Sequence, residues 1–218
     1  MKFKLVIFDL DGTLIDTIGD LGTAVNAALT ASGLPTHEEE AFRGMVGNGV
    51  RKLVMRAMPE TLREDEAAVD RVLQLFLAYY IDHIDERSRP YPGIPELLSE
   101  LDAAGVKLAV ASNKFQSGAE KLISRMFPDI PFAAVLGGRK GQPLKPDPAI
   151  VDEIRSRAGA DRSETVLVGD SGTDIATAAA AGVASIAVGW GFRPKEALEA
   201  AGRMVDSVSQ LRQLLLGS

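Results

Sequence analysis

The chain has 218 residues, 46% hydrophobic and 25% charged, enough for one large α/β domain or a core carrying an inserted unit. Lys plus Arg number 24 against 30 Asp plus Glu, and the resulting net charge of −6 argues against general nucleic-acid binding. Cysteine is absent, which excludes disulfide frameworks, thiolate nucleophiles and Cys-ligated zinc.

In chain order, Leu5-Val6-Ile7-Phe8 is an apolar run that stops at Asp9. Four residues are too few for the apolar region of a signal peptide, and no stretch reaches the ~18 apolar residues of a membrane span. A cytoplasmic protein with no membrane partner is the expectation. The run reads as a strand buried on both faces, closed by the turn at Asp11-Gly12. Residues 17–86 hold no convincing strand. Instead Leu21, Val25, Ala28 and Leu29, then Val50, Leu53, Val54 and Ala57, then Val69, Val72, Leu73, Phe76, Leu77 and Tyr80 recur at helical spacing, which predicts a small bundle. His37 and His83 fall in polar stretches of it and read as solvated; Arg43, Arg51 and Lys52 read as a solvated helix face by default, with contact to an anionic substrate as the alternative. Pro90, Pro92, Gly93 and Pro95 mark the return linker. Beyond it the pattern predicts a helix over 94–105, a strand over 106–111, a helix over 116–127, a short strand near 133–136 and a helix near 148–158. A strand at 165–168, an Ala-rich helix near 173–181, a strand at 185–188 and helices near 194–201 and 207–215 complete the chain.

Strands alternating with helices imply right-handed crossovers, hence an α/β fold with a doubly wound, Rossmann-like parallel sheet. The expected domains are a core of 1–16 and 87–218 and an inserted helical unit of 17–86. Ligands of such sheets bind at the carboxyl ends of the strands. Polar residues gather at those ends: Asp9 and Asp11 after the first strand, Ser112 and Asn113 after the second, Lys145 in Leu144-Lys145-Pro146-Asp147-Pro148, and Asp170 and Asp174 after the strand at 165–168. Carboxylates without His or Cys ligands describe a hard oxygen site suited to Mg²⁺. A Lys beside them stabilises a carboxylate nucleophile and neutralises phosphate charge, and the Ser112 hydroxyl can donate to phosphoryl oxygens. Two carboxylates two residues apart divide labour, one attacking and the other moving protons.

These residues resemble the haloacid dehalogenase superfamily. Asp9-Leu10-Asp11-Gly12-Thr13-Leu14 is similar to its first motif and Ala111-Ser112-Asn113 to its second. Lys145-Pro146-Asp147-Pro148 is similar to the third, and Gly169-Asp170-Ser171-Gly172-Thr173-Asp174 to the fourth. The resemblance implies an α-helical cap in the insert, Asp9 as nucleophile, Asp11 as general acid/base, and Ser112 and Lys145 on the phosphate. It implies Mg²⁺ held by Asp9, the main-chain carbonyl of Asp11, and Asp170, with Asp174 supporting the metal shell or Lys145. Val46-Gly47-Asn48-Gly49, Tyr91-Pro92-Gly93 and Gly189-Trp190-Gly191-Phe192 further resemble bacterial phosphoglycolate phosphatases. The implied activity is therefore Mg²⁺-dependent hydrolysis of a small phosphorylated metabolite through an aspartyl phosphate, by a monomer or homodimer.

Asn113 and the loop Gly47-Asn48-Gly49 are the candidate substrate contacts. Glycines let main-chain N–H groups approach an anion and Asn48 adds an amide donor, although Asn and Gly also suit a plain helix cap. Trp190 could line the mouth of the site, although large aromatics more often serve packing. A sugar-phosphate mutase of the β-phosphoglucomutase kind and a pyrophosphatase share the core motifs and stay open. A phosphorylation-activated receiver module uses similar groups but is shorter and lacks the insert.

Overall fold

The computed structural model describes residues 3–217; Met1, Lys2 and Ser218, the outermost ends of the expected core, lie outside them. The elements in order are β1 (Leu5–Phe8), β2 (Ile15–Asp16), α1 (Ile18–Ala31), α2 (Ala41–Met45), α3 (Val50–Ala57), α4 (Glu66–Asp82), β3 (Arg89–Pro90), α5 (Ile94–Ala103) and β4 (Lys107–Phe115). They continue with α6 (Gln116–Met126), β5 (Phe132–Gly138), α7 (Ala149–Ala158), β6 (Thr165–Gly169), α8 (Gly172–Ala181), β7 (Ala184–Val188), β8 (Met204–Val205) and α9 (Val208–Leu216). The chain divides into two compact units, Met1–Asp16 with Pro90–Ser218, and Thr17–Arg89.

The first unit is an α/β layer structure around a six-stranded sheet of order β5-β4-β1-β6-β7-β8. Its pairings are parallel, as the strand–helix alternation predicts. All four residues of β1 are buried, which is why its sequence shows a continuous apolar run rather than alternation. Leu5 and Ile7 pack on one face with Ala109, Leu136, Val151, Ile154 and Leu167. The strand order reverses at β1, and the register there places the site. Phe8 lies level with Val110 of β4 and Val168 of β6, so the residues that follow each strand emerge side by side.

Helix boundaries follow local chemistry. Helix α8 starts in a capping box between Ser171 and Asp174 and stops at Gly182, whose φ is 66°. The helix expected near 194–201 is only a 3₁₀ turn at Lys195–Leu198. Leu198 is the one buried residue of that turn, too little apolar surface to dock a longer helix. Strand β8, unseen in the sequence, is two residues long and exists through its pairing with β7: Ala187 N–H donates to Arg203 O and Gly189 N–H to Val205 O.

In the second unit the expected stripes are packed faces. Leu21, Val25, Ala28 and Leu29 of α1, Leu53, Val54 and Ala57 of α3, and Val69, Val72, Phe76 and Tyr80 of α4 are buried. Gly22 has no side chain because the Phe42 ring occupies that space; a Cβ there would sit 2.7 Å from the ring. This unit closes at Arg89 rather than near 86. The buried Asp20 carboxylate of α1 accepts hydrogen bonds from Arg87 N, Ser88 N and Ser88 Oγ, which ties residues 87 and 88 to the helices. His37 is not simply solvated: it is half-buried, its Nε2 is 2.7 Å from Ala57 O, and its ring meets Phe42 edge-on. Arg51 likewise is paired, with Glu66 and Asp70.

Candidate active site

Asp9 is the first residue past β1. Its Oδ1 accepts from Leu10 N at 2.7 Å and from Lys145 Nζ at 2.9 Å. Lys145 is almost wholly buried and has three hydrogens to place. They go to Asp9 Oδ1, to Asp174 Oδ1 at 2.6 Å and to the Ala111 carbonyl at 2.8 Å. Asp174 Oδ2 meanwhile accepts from Ser171 N and Ser171 Oγ. Both oxygens of Asp174 are thus engaged, so it is a brace for Lys145 and for the start of α8.

Asp170 is the first residue past β6, the other strand beside β1. Its Oδ2 accepts from Phe192 N at 2.7 Å, and Thr13 Oγ1 lies 3.5 Å from Oδ1. Oxygens of Asp9, Asp170 and Asp174 all lie within 4.8 Å of one another. Such crowding has an electrostatic cost. Burial first, then the Asp174 charge, pushes the Asp9 carboxyl up to about 7, against the pull of Lys145. Burial and the charges of Asp9 and Asp174 push Asp170 up to about 8. Burial works against the Lys145 ammonium, yet Asp174 and Asp9 outweigh it and hold the group charged.

Two side chains join from β4. Ser112 is buried and its Oγ accepts from Lys114 N at 3.2 Å. Lys114, 4% exposed, reaches Asp11 with its Nζ 3.0 Å from Oδ1 and 3.3 Å from Oδ2. The sequence reading missed Lys114 because it ended the strand at 111. Extended to Phe115, β4 puts residues 112 and 114 on one side, and that period of two is the signal that would have found it. Asn113, expected against substrate, directs its amide at the main chain of Lys145: Nδ2 donates to Lys145 O at 2.9 Å and Oδ1 accepts from Lys145 N at 2.8 Å. It positions the lysine loop.

The structure therefore brings together Asp9, Asp11, Ser112, Asn113, Lys145, Asp170 and Asp174 at one edge of the sheet. Gly47, Asn48 and Gly49 belong to the helical unit, ahead of α3, with φ values of 111°, 62° and 86°. Arg56 clamps that loop, donating to Met45 O, Gly47 O and Asn48 Oδ1 at 2.7, 3.0 and 2.9 Å.

Fully ionised, the four carboxylates of Asp9, Asp11, Asp170 and Asp174 would outnumber the Lys114 and Lys145 ammonium groups by two charges, an excess that helps to raise Asp9 and Asp170. That excess, and a donor set made of oxygen alone, fit a hard divalent cation, for which Asp9, Asp170 and Asp174 offer grouped carboxylate oxygens.

An open parallel sheet whose central strands end in a buried Asp–Lys–Asp cluster is the layout of an α/β enzyme with its site at the strand ends. Comparison with known proteins narrows this class. The pattern of the haloacid dehalogenase-like hydrolases matches residues 6–188, and the chain belongs to that family. It is similar to a phosphoglycolate phosphatase of Mesorhizobium japonicum, 41% identical over 200 residues that cover 91% of this chain and 88% of the relative. A phosphoglycolate phosphatase of Vibrio parahaemolyticus is 34% identical over 220 residues, covering 97% and 96%. A crystal structure from Lactobacillus delbrueckii subsp. bulgaricus superposes with a TM-score of 0.92 at 35% identity, covering 100% of both chains. The chain is a hydrolase, and these relatives set it beside phosphatases. No helix among the described residues is long and apolar enough to cross a membrane.

Proposed function

We propose that this hydrolase is a Mg²⁺-dependent phosphatase of small phosphomonoesters, with phosphoglycolate as the first candidate substrate. The observation that carries the reading is the Asp9 carboxylate, held by Leu10 N and Lys145 at the carboxyl edge of the sheet beside an Asp11–Lys114 pair. The names of the curated relatives support the choice of phosphoglycolate. Mg²⁺, when bound by Asp9, Asp170 and the Asp11 carbonyl, supplies positive charge against the phosphoryl oxygens.

The protein's own groups perform the chemistry. A carboxylate oxygen of Asp9 attacks phosphorus and the bond to the ester oxygen breaks. Asp11, whose carboxylate is paired with Lys114 here, must first take up a proton from solvent, and it gives that proton to the departing alkoxide. Water then attacks phosphorus of the aspartyl phosphate while Asp11 takes the water proton, which frees inorganic phosphate and restores Asp9. Ser112 Oγ, already accepting from Lys114 N, keeps its own hydrogen to donate to a phosphoryl oxygen. Lys145 holds Asp9 in place and offsets its charge, and Asn113 and Asp174 hold Lys145. Selectivity for the organic part falls to the helical unit, acting as a cap, through Gly47, Asn48 and Gly49.

A turnover panel with Mg²⁺ tests this: phosphoglycolate, pyrophosphate, hexose phosphates and nucleotides, with wild type and Asp9→Asn. Release of phosphate from phosphoglycolate in preference to the others, and loss of all turnover in Asp9→Asn, is the expected result. Isomerisation of a hexose phosphate without net phosphate release would instead identify a mutase. More than a few per cent of wild-type kcat in Asp9→Asn would defeat the aspartyl-phosphate route.

A further inference from the structure

The segment Gly189-Trp190-Gly191-Phe192 follows β7, and sequence reasoning favoured packing for its tryptophan. Its contacts say more. Phe192 N–H donates to Asp170 Oδ2 at 2.7 Å, a bond between a neutral main-chain donor and a buried carboxylate. Gly191 lies directly over that carboxylate: a Cβ there would fall 2.2 Å from Asp170 Cβ, 2.4 Å from Asp170 Oδ2 and 2.5 Å from the Gly12 carbonyl. Gly12 lies against the same carboxylate, where a Cβ would fall 2.4 Å from that Oδ2. Two neighbouring glycines therefore lie against the Asp170 side chain, and neither position leaves room for a Cβ. The Trp190 indole fastens the segment to the loop after β1: its Nε1 donates to Thr13 O at 3.2 Å, and its ring lies 6.4 Å from that of Tyr91.

We infer that Trp190, Gly191 and Phe192 form a positioning strap for Asp170 and set the affinity of the site for its cation. The inference rests on the reading that Asp170 is a cation ligand. A carboxylate with one oxygen pinned by a main-chain N–H presents the other, Oδ1, in a fixed direction, so the cation need not order it on binding. Trp190 contributes by holding the strap at the height of Gly12, where both glycines meet Asp170. Gly191 contributes by having no side chain. This role concerns binding strength and is separate from the chemical step assigned to Asp9 and Asp11.

The test is a calorimetric Mg²⁺ titration of chelator-stripped protein at one pH, with the melting temperature in EDTA recorded for each variant. Gly191→Ala introduces a Cβ against Asp170. Trp190→Phe keeps an aromatic ring but removes the Nε1 donor. Gly202→Ala, where a Cβ would meet nothing within 4 Å, is the matched control. Loss of an outer-sphere partner of a metal ligand typically weakens binding 10–100-fold. Gly191→Ala is expected to raise the Kd for Mg²⁺ by roughly 10-fold or more, and Trp190→Phe by about 3-fold or more. Gly202→Ala is expected to leave it unchanged. Wild-type Kd in Trp190→Phe overturns the strap, and so does wild-type Kd in a folded Gly191→Ala. If Gly191→Ala does not fold, Trp190→Phe alone decides. Asp170→Asn separates the underlying reading: undiminished Mg²⁺ binding in that variant shows that Asp170 is no ligand and removes both claims together.

Discussion

Replacing Lys145 with Met tests the electrostatic frame of the site. Methionine matches the length and flexibility of the lysine stem but carries no charge. The substitution removes the ammonium that lies 2.9 Å from Asp9 and 2.6 Å from Asp174, and it leaves two carboxylates facing each other in a site closed to solvent. Taking one partner from a buried ion pair costs about 3–5 kcal/mol, because the other charge stays behind without compensation. For a chain of this size about 1 kcal/mol corresponds to a shift of about 2–4 °C, so the melting temperature at pH 8 in EDTA should fall by about 6–20 °C. The penalty should depend on pH with a definite sign. The Asp9 carboxyl is pushed up to about 7 in the folded protein against its ordinary value of 3.8, and Lys145 is what restrains it. Between those values the folded protein retains a proton that the unfolded chain has lost, so stability falls as pH rises through the window. Without Lys145 the window widens upward, and the difference between variant and wild type grows with pH. Thermal or urea unfolding of both proteins at pH 5 and pH 8 checks this, with less than half of the pH 8 penalty expected at pH 5. A difference under ~1 kcal/mol at pH 8, or the same difference at both pH values, would refute the buried-charge argument.

Mg²⁺ should stabilise the chelator-stripped protein more at pH 8 than at pH 6, since Asp170 at about 8 and Asp9 at about 7 must lose protons to bind it. At a concentration about 100 times Kd the gain is about 2.7 kcal/mol; equal melting shifts at both pH values, or a full shift in Asp170→Asn, would count against Asp170 as ligand. Lys114→Met releases the Asp11 carboxylate from its buried partner and should lower kcat on alkyl phosphates by roughly 10–100-fold, within the usual contribution of general acid–base catalysis. The loss should be smaller for p-nitrophenyl phosphate, whose leaving group needs little proton help, and equal losses on both would place Lys114 outside that step. Asn48→Ala should reduce kcat/KM for phosphoglycolate by about 10-fold, the value of one hydrogen bond to a charged group, and affect p-nitrophenyl phosphate less; parallel losses on the two substrates would assign the loop to folding alone.

Local sequence determined a large part of this protein. Periodicity and punctuation suffice for β1, α5, β6 and α8, since each is long enough or apolar enough to register and is bounded by Gly or a capping residue. The acids at 9, 11, 170 and 174, the serine at 112 and the lysine at 145 were legible for a related reason: parallel sheets expose functional groups at strand ends, and strand ends can be read. What remained was decided by contacts between distant segments. Strand β8 has only two residues and no pattern of its own, and it becomes a strand because β7 offers it a ladder. Lys114 becomes a partner of Asp11 only when β4 runs on past Ser112 beside β5. Asn113 looks like a substrate ligand until the loop carrying Lys145 folds over it and takes both ends of its amide. Trp190 and Gly191 acquire meaning from Thr13, Gly12 and Asp170, which no spacing in the chain associates with them. Short-range pattern records which face of an element is buried. The partner that each buried polar group finds is set by sheet register and loop closure, and these exist only once the whole chain has packed.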